Sequence, residues 1–376
     1  SCLVGSEMCI RDSPRSYKWL NVTQIAKVWE QMNLANEYGA NRLWIVNVGD
    51  LKPMEVPTEF FLAYAWNPQA WPAEKLPAYL EAWAAREFGA QHAGRIASIV
   101  ERYTRYNARR RPEQLEPATY SLSAYDEAER VVNDYNALVE EARQVGQALP
   151  KTMRDAYFQL VEYPVRASAN ALDMWVSSGR NALYARQGRA TTNDMAERVQ
   201  RLFDRDAGLT RQYHGSNSGK WNHMMSQNRF GYTNWAQPYR DVMPAVSRLL
   251  LPEPSAPGGI RAADQMGVTV QGSQAVWPAY GLQHMRVPAL DVFDRQPRYV
   301  ELFNRSREPF DYAVKASHPW IRLSHAAGRV DKEQRILVDV DWNAVPSGSM
   351  EAELTVTGPE GAKLIVKVPV HKPEGL

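Results

Sequence analysis

The sequence predicts a multidomain α+β protein: one βα unit, then a helical bundle, then an immunoglobulin-like β-sandwich. Three observations predict it. An apolar run, Leu43–Val48, passes into a polar turn between two helical patterns. Residues 72–250 repeat the helical period with short links, and residues 251–376 break into short extended runs punctuated by Pro and Gly. At 376 residues the chain exceeds one ordinary domain, and roughly two to three are expected.

Residues 1–13, SCLVGSEMCIRDS, show no periodicity and read as a translated adapter or cloning scar, so they are set aside from the fold. Both cysteines, Cys2 and Cys9, lie there, which leaves no disulfide or thiolate zinc site in the remainder. Residues 14–71 form the α/β piece. The amphipathic stretch Val22–Tyr38 predicts a helix ended by Gly39. Trp44, Ile45, Val46 and Val48 favour a strand buried on both faces. A further helix starts at Pro57 or Thr58 and stops at Asn67-Pro68. This unit suits a βα barrel or a doubly wound sheet, and in both the chemistry sits at the C-terminal strand ends.

In residues 72–250 five helices are expected: Leu76–Phe88 closed by Gly89, His92–Arg111 before Pro112, Ser123–Leu149, a long pattern over Pro150–Gly188 kinked near Pro164, and Thr192–Tyr213 capped by Thr192 or Asn193. After the Pro/Gly-rich linker at 251–259, residues 251–376 hold extended runs at Val268–Val270, Tyr299–Phe303, Phe310–Val314, Arg335–Trp342, Ala352–Thr357 and Lys363–Val370. Turn signals separate the later ones, which predicts a sandwich, whole or truncated by the chain end.

Hydrophobic and charged fractions of 44% and 23% are those of a globular protein. No apolar run nears the roughly 20 residues that cross a membrane, and a net charge of +2 gives no electrostatic case for nucleic acid. Twelve Trp and eighteen Tyr are many, and flat rings can hold sugars, although core packing uses them too. Phosphate-binding loops, dinucleotide glycine fingerprints, paired metal-ligating histidines and nucleophile elbows are missing from the sequence, and neither metal nor cofactor is expected.

Carboxylate chemistry remains. The end of Leu43–Val48 gathers Asn47, Gly49, Asp50, Lys52 and Glu55, with Asp50 and Glu55 as the catalytic expectation. Asp50 also suits a helix cap, and Glu55 a solvated loop charge. Glu30 reads as a helix-surface residue. A second cluster, Lys220–Trp235, is dense in aromatics, amides and cations without periodicity, and offers Lys220, Trp221, Asn222 and His223 as substrate contacts. A third, Pro14–Asn21, offers Tyr17 and Trp19, with Asn21 as a helix cap.

The stretches SYKWLN, WEQMNLA, NVGDLKPMEVPTEFFL, AWNP and GKWNHMMSQNRFGYTNW together resemble glycoside hydrolase family 115, the xylan α-1,2-glucuronidases. The resemblance covers nearly everything after residue 13. It implies inverting release of glucuronic acid or its 4-O-methyl ether from glucuronoxylan, without nucleic acid or membrane, in a secreted or periplasmic enzyme. It also implies that residues 14–71 are the last unit of a TIM (β/α)8 barrel, whose other strands and further site acids would precede Pro14. The acid and base stay unassigned. An inverting site needs two carboxyl groups about 6.5–9.5 Å apart. The uronate would need cations or amides, which Lys52, Lys220, His223 and Arg229 could supply. On this reading Leu43–Val48 lacks sheet neighbours here, exposes apolar side chains, and the chain alone is inactive. The rival expectation is a non-catalytic helical and β-sandwich module that binds polysaccharide or dimerises. A homodimer stays open under either.

Overall fold

In the computed structural model the described residues are 19–374, apart from 49–50, 233–237 and 255–256. They form helices and β-sheets divided between two units, one of residues 1–119, 129–176 and 199–244, the other of residues 120–128, 177–198 and 245–376. No helix among them is long and apolar enough to cross a membrane.

The first unit is helical. Its elements are α1 (Ile25–Glu37), α2 (Glu55–Trp66), α3 (Leu76–Phe88), α4 (Ala93–Arg109), most of α5 (Glu127–Ala148), α6 (Lys151–Tyr157), a π turn (Phe158–Glu162), the first half of α7 (Tyr163–Gln187) and the later turns of α8 (Thr192–Gly215). Periodicity explains α4, where Ile96, Ile99, Val100 and Tyr103 are buried at the spacing of one helix face. Gly39 and Gly89 stand just beyond α1 and α3 with φ of +82° and +85°, a conformation that glycine adopts without a Cβ clash. The helices from α1 through the start of α7 share one core around Phe60, Tyr64, Tyr79, Trp83, Ile96, Leu138, Tyr157 and Val161.

The expected strand at Leu43–Val48 does not form. A strand needs a neighbour for its amides and carbonyls, and the described residues hold no strand before Met266. The segment still packs with a period of two. Trp44 and Val46 lean on the helical core, while Leu43 and Ile45 are 76% and 57% exposed. The pattern expected over Pro150–Gly188 divides into α6, the π turn and α7. Within the turn the Tyr163 N–H donates five residues back, to the Phe158 carbonyl. Pro164, which lacks an N–H, follows in the first turn of α7, where that loss is tolerated.

The second unit contains two sheets. One is antiparallel, in the order β1 (Met266–Val270), β4 (Arg298–Asn304), β8 (Glu333–Val340), β6 (Ile321–Leu323). The other runs β2 (His284–Arg286), β10 (Lys363–Lys372), β9 (Gly348–Thr357), β5 (Phe310–Ala316), β7 (Ala327–Val330), with β3 (Leu290–Asp291) also on β10. It is mixed, because β2 and β3 pair with β10 in parallel. Apolar side chains of both sheets meet in a single cluster that includes Val268, Leu302, Val338, Val314, Leu354 and Val366. Five of the six expected runs lie within strands and Arg335–Trp342 overruns β8 by two residues, while the short β2, β3, β6 and β7 carry too few residues to show an alternation.

A buried arginine fixes the turn between α7 and α8 in this unit. Arg189 is 2% exposed and lies 4.2 Å from the rings of both Tyr184 and Phe303. It pairs with Glu301 at 3.1 Å and Glu333 at 3.2 Å, and Glu301 also takes Arg335 at 2.7 Å. Burial would raise the Glu301 carboxyl, but Arg189 and Arg335 hold it below its usual range.

Candidate active site

The site lies in the first unit and begins at the N-terminus of α2. Glu55 is the first residue of that helix, where a carboxylate faces the positive end of the dipole. Lys52, one turn earlier across a cis Lys52–Pro53 bond, places its ammonium 2.5 Å from Glu55 Oε1. Gln159 donates its side-chain N–H to that same oxygen at 2.7 Å. Glu55 keeps 27% of its side chain exposed and Lys52 12%.

The loop after α8 comes to this point. The Lys52 ammonium stands 4.0 Å from the centre of the Trp221 ring, and Lys220 stands 4.8 Å from it. Cations at these distances are attracted to the indole face. The loop is fastened at several places. The Asn217 N–H donates to Asp155 at 3.0 Å, and the Met225 N–H donates to His214 Nε2 at 3.1 Å. The Arg229 and Phe230 amides share the Asp241 carboxylate at 2.6 and 2.9 Å. Three non-glycine residues of the loop, Asn217, Ser218 and His223, have positive φ. Such strain is held only where surrounding contacts dictate the conformation. Asn222 and His223 are exposed, and the His223 ring lies 5.9 Å from that of His214. Burial, with the charges of His223 and Arg229 adding to it, holds His214 below its ordinary value.

Thus Lys52, Glu55, Lys220 and Trp221 come together, with Asn222 and His223 beside them on the same loop. Tyr17 and Asp50 lie outside the described residues, as do 233–237 at the far end of the Lys220–Trp235 cluster. Asn47 is exposed, just before the end of Leu43–Val48. Trp19 is 2% exposed, so it offers almost no face to a sugar. Its indole N–H donates to the Tyr163 hydroxyl at 3.2 Å, and the Arg229 guanidinium covers its ring at 4.4 Å.

Arg229 is not a free cation for a uronate. It is buried against Asp206 at 2.7 Å and donates to the Met225 and Gln227 carbonyls as well as to Thr210. Glu30 pairs with Lys27 at 2.6 Å on the surface of α1, as a helix-surface residue would. Asn21 accepts the Thr23 N–H at 2.9 Å but is not the cap of α1: it lies three positions before Gln24, which holds the cap position.

Sequence reasoning missed Gln159 and Tyr213. The Tyr213 phenol is buried beside Gln159, and burial together with the charge of Glu55 pushes its ionisation well above the ordinary phenol range. The available signal for Gln159 is an amide among the apolar residues of Phe158–Val161.

Residues 8–114 match the model of glycosyl hydrolase family 115. Over that stretch the chain is similar to family 115 sequences. The match includes Lys52 and Glu55 and stops short of Gln159 and Trp221. No match was found among curated proteins. Among solved structures, a family 115 4-O-methyl-α-glucuronidase with specificity for decorated arabinogalactans aligns at 18% identity and a TM-score of 0.49, covering 94% of this chain and 48% of its own. The chain thus spans about half the length of that enzyme. A Bacteroides ovatus family 5 xyloglucanase, in complex with a heptasaccharide, aligns over 28% of this chain and 19% of its own, at 17% identity and a TM-score of 0.19.

Proposed function

We propose that this chain supplies part of the active site of a glycoside hydrolase that removes glucuronic acid or its 4-O-methyl ether, α-1,2-linked to xylan. The observation that carries the reading is the meeting of Lys52, Glu55, Lys220 and Trp221, which are 165 or more positions apart across the two pairs (220 − 55 = 165). Two ammonium groups beside an indole suit a sugar that bears a carboxylate, and Glu55 supplies one of the carboxyl groups an inverting displacement needs. Family 115 sequence over the stretch with Lys52 and Glu55 supports the same chemistry. Asp50, five positions before Glu55, is the second carboxyl group of the proposal. A polymer substrate implies a secreted or periplasmic enzyme. The described residues hold no barrel strand, so we infer that the chain by itself does not release uronic acid.

The test is uronic acid release from glucuronoxylan by the complete enzyme. Trp221→Ala should raise KM by about tenfold, because a ring that binds the sugar contributes on the order of 1–3 kcal/mol. Unchanged KM and kcat in a folded Trp221→Ala protein would remove the loop from the site.

A further inference from the structure

We infer that Gln159 is a positioning residue: the π turn Phe158–Glu162 presents its amide to Glu55 and fixes the carboxylate in one orientation. The inference rests on the reading of Glu55 as an active-site carboxyl group. Three observations carry it. First, Gln159 is 5% exposed among the apolar side chains of Tyr157, Phe158 and Val161, where a buried amide costs stability unless it is bonded. Its bond leaves the helix and crosses 104 positions of sequence to Glu55. Second, the π turn is a local departure from the i→i−4 ladder, with the Tyr163 N–H reaching back to Phe158. One extra residue in a turn rotates everything after it by about 100° relative to a continuous helix. The turn therefore sets which side chains before and after it share a face, and Gln159 lies inside it. π turns of this kind are frequent at functional sites.

Third, the geometry at Glu55 is one-sided. The Gln159 amide and the Lys52 ammonium both reach Oε1, at 2.7 and 2.5 Å. Both contacts fall on the same oxygen, and the side chain stays partly exposed. Two donors on one oxygen lock the carboxylate plane and leave the other oxygen to meet water or substrate. Lys52 alone could swing with its flexible stem. A buried amide on a packed helix cannot, and this rigidity is what orientation requires.

The experiment compares kcat and KM for uronic acid release by the complete enzyme carrying Gln159→Met, Gln159→Glu or Glu55→Gln, at a temperature where each is folded by circular dichroism. Gln159→Met keeps the length of the side chain and loses its donor. Gln159→Glu keeps its shape, replaces the N–H donor by a carboxylate, and serves if the apolar variant fails to fold. Both should lower kcat by about tenfold or more while KM stays within about threefold, since a misplaced carboxylate impairs the transition state and leaves ground-state binding intact. Wild-type kcat in the Gln159 variants, or a change confined to KM, would overturn the inference while an inactive Glu55→Gln left the active-site reading standing. Wild-type kcat in Glu55→Gln would overturn both.

Discussion

Removing the guanidinium of Arg229 would leave the Asp206 carboxylate, 3% exposed, without its counter-charge. A buried charge stripped of its partner costs about 3–5 kcal/mol. Urea unfolding of Arg229→Met should therefore show a loss of that order, and a loss below about 1 kcal/mol would mean that Asp206 finds another partner or protonates cheaply. Gly267 makes a similar point by shape alone. A Cβ there would sit 2.1 Å from the Phe303 ring on the neighbouring strand, closer than any side chain tolerates. Gly267→Ala should destabilise the protein by about 1–3 kcal/mol, measured by thermal melting, with no change if the ring can move aside freely. At this scale sequence type alone misleads. Lys52 and Arg229 are both cations in polar stretches, yet one lies at the candidate site and the other is a strut. The difference is Asp206, on a helix 23 positions away, and no local pattern reveals which acid a cation will meet.

The loop after α8 offers a test at the scale of elements. The Met225 N–H needs an unprotonated Nε2 on His214 to accept it. His214 is held below its ordinary value, so the unfolded chain takes up that proton more readily than the folded one. The contribution is fully present above about pH 6.5, shrinks as the pH falls toward the folded value, and then levels off. Melting temperature should thus fall between about pH 7 and 5 by more in the wild type than in His214→Gln, and equal slopes would show that His214 does not anchor the loop. Elements were legible where packing follows periodicity. The face of α4 and the alternation of β5 and β10 could be read directly. Leu43–Val48 could not, because β-branched and aromatic residues announce an extended chain and say nothing of whether a partner strand exists. The π turn was hidden because its phase shift of about 100° falls at Phe158–Val161, where three of four residues are apolar and no stripe edge marks the change.

For the whole molecule, the mixture of helices and sheets was legible from the change in period near the Pro/Gly linker, and the candidate site was legible in halves. Each half stood out by polar density against its surroundings: Asn47 to Glu55 after the apolar run, and Lys220 to His223 after a helix. Their meeting belongs to tertiary structure, and so do Gln159 and Tyr213, which look like ordinary members of helices. The claim on which the account turns is that Glu55 acts in chemistry and is more than the partner of Lys52. The most direct measurement is kcat for release of 4-O-methylglucuronic acid from glucuronoxylan by the complete enzyme, with Glu55 and with Glu55→Gln. The substitution keeps the shape and the bond to Lys52 weakens without loss of fold, so the account predicts a fall of about a hundredfold or more. Release at the wild-type rate would contradict it and leave Glu55 as the ion-pair partner that holds Lys52 in place.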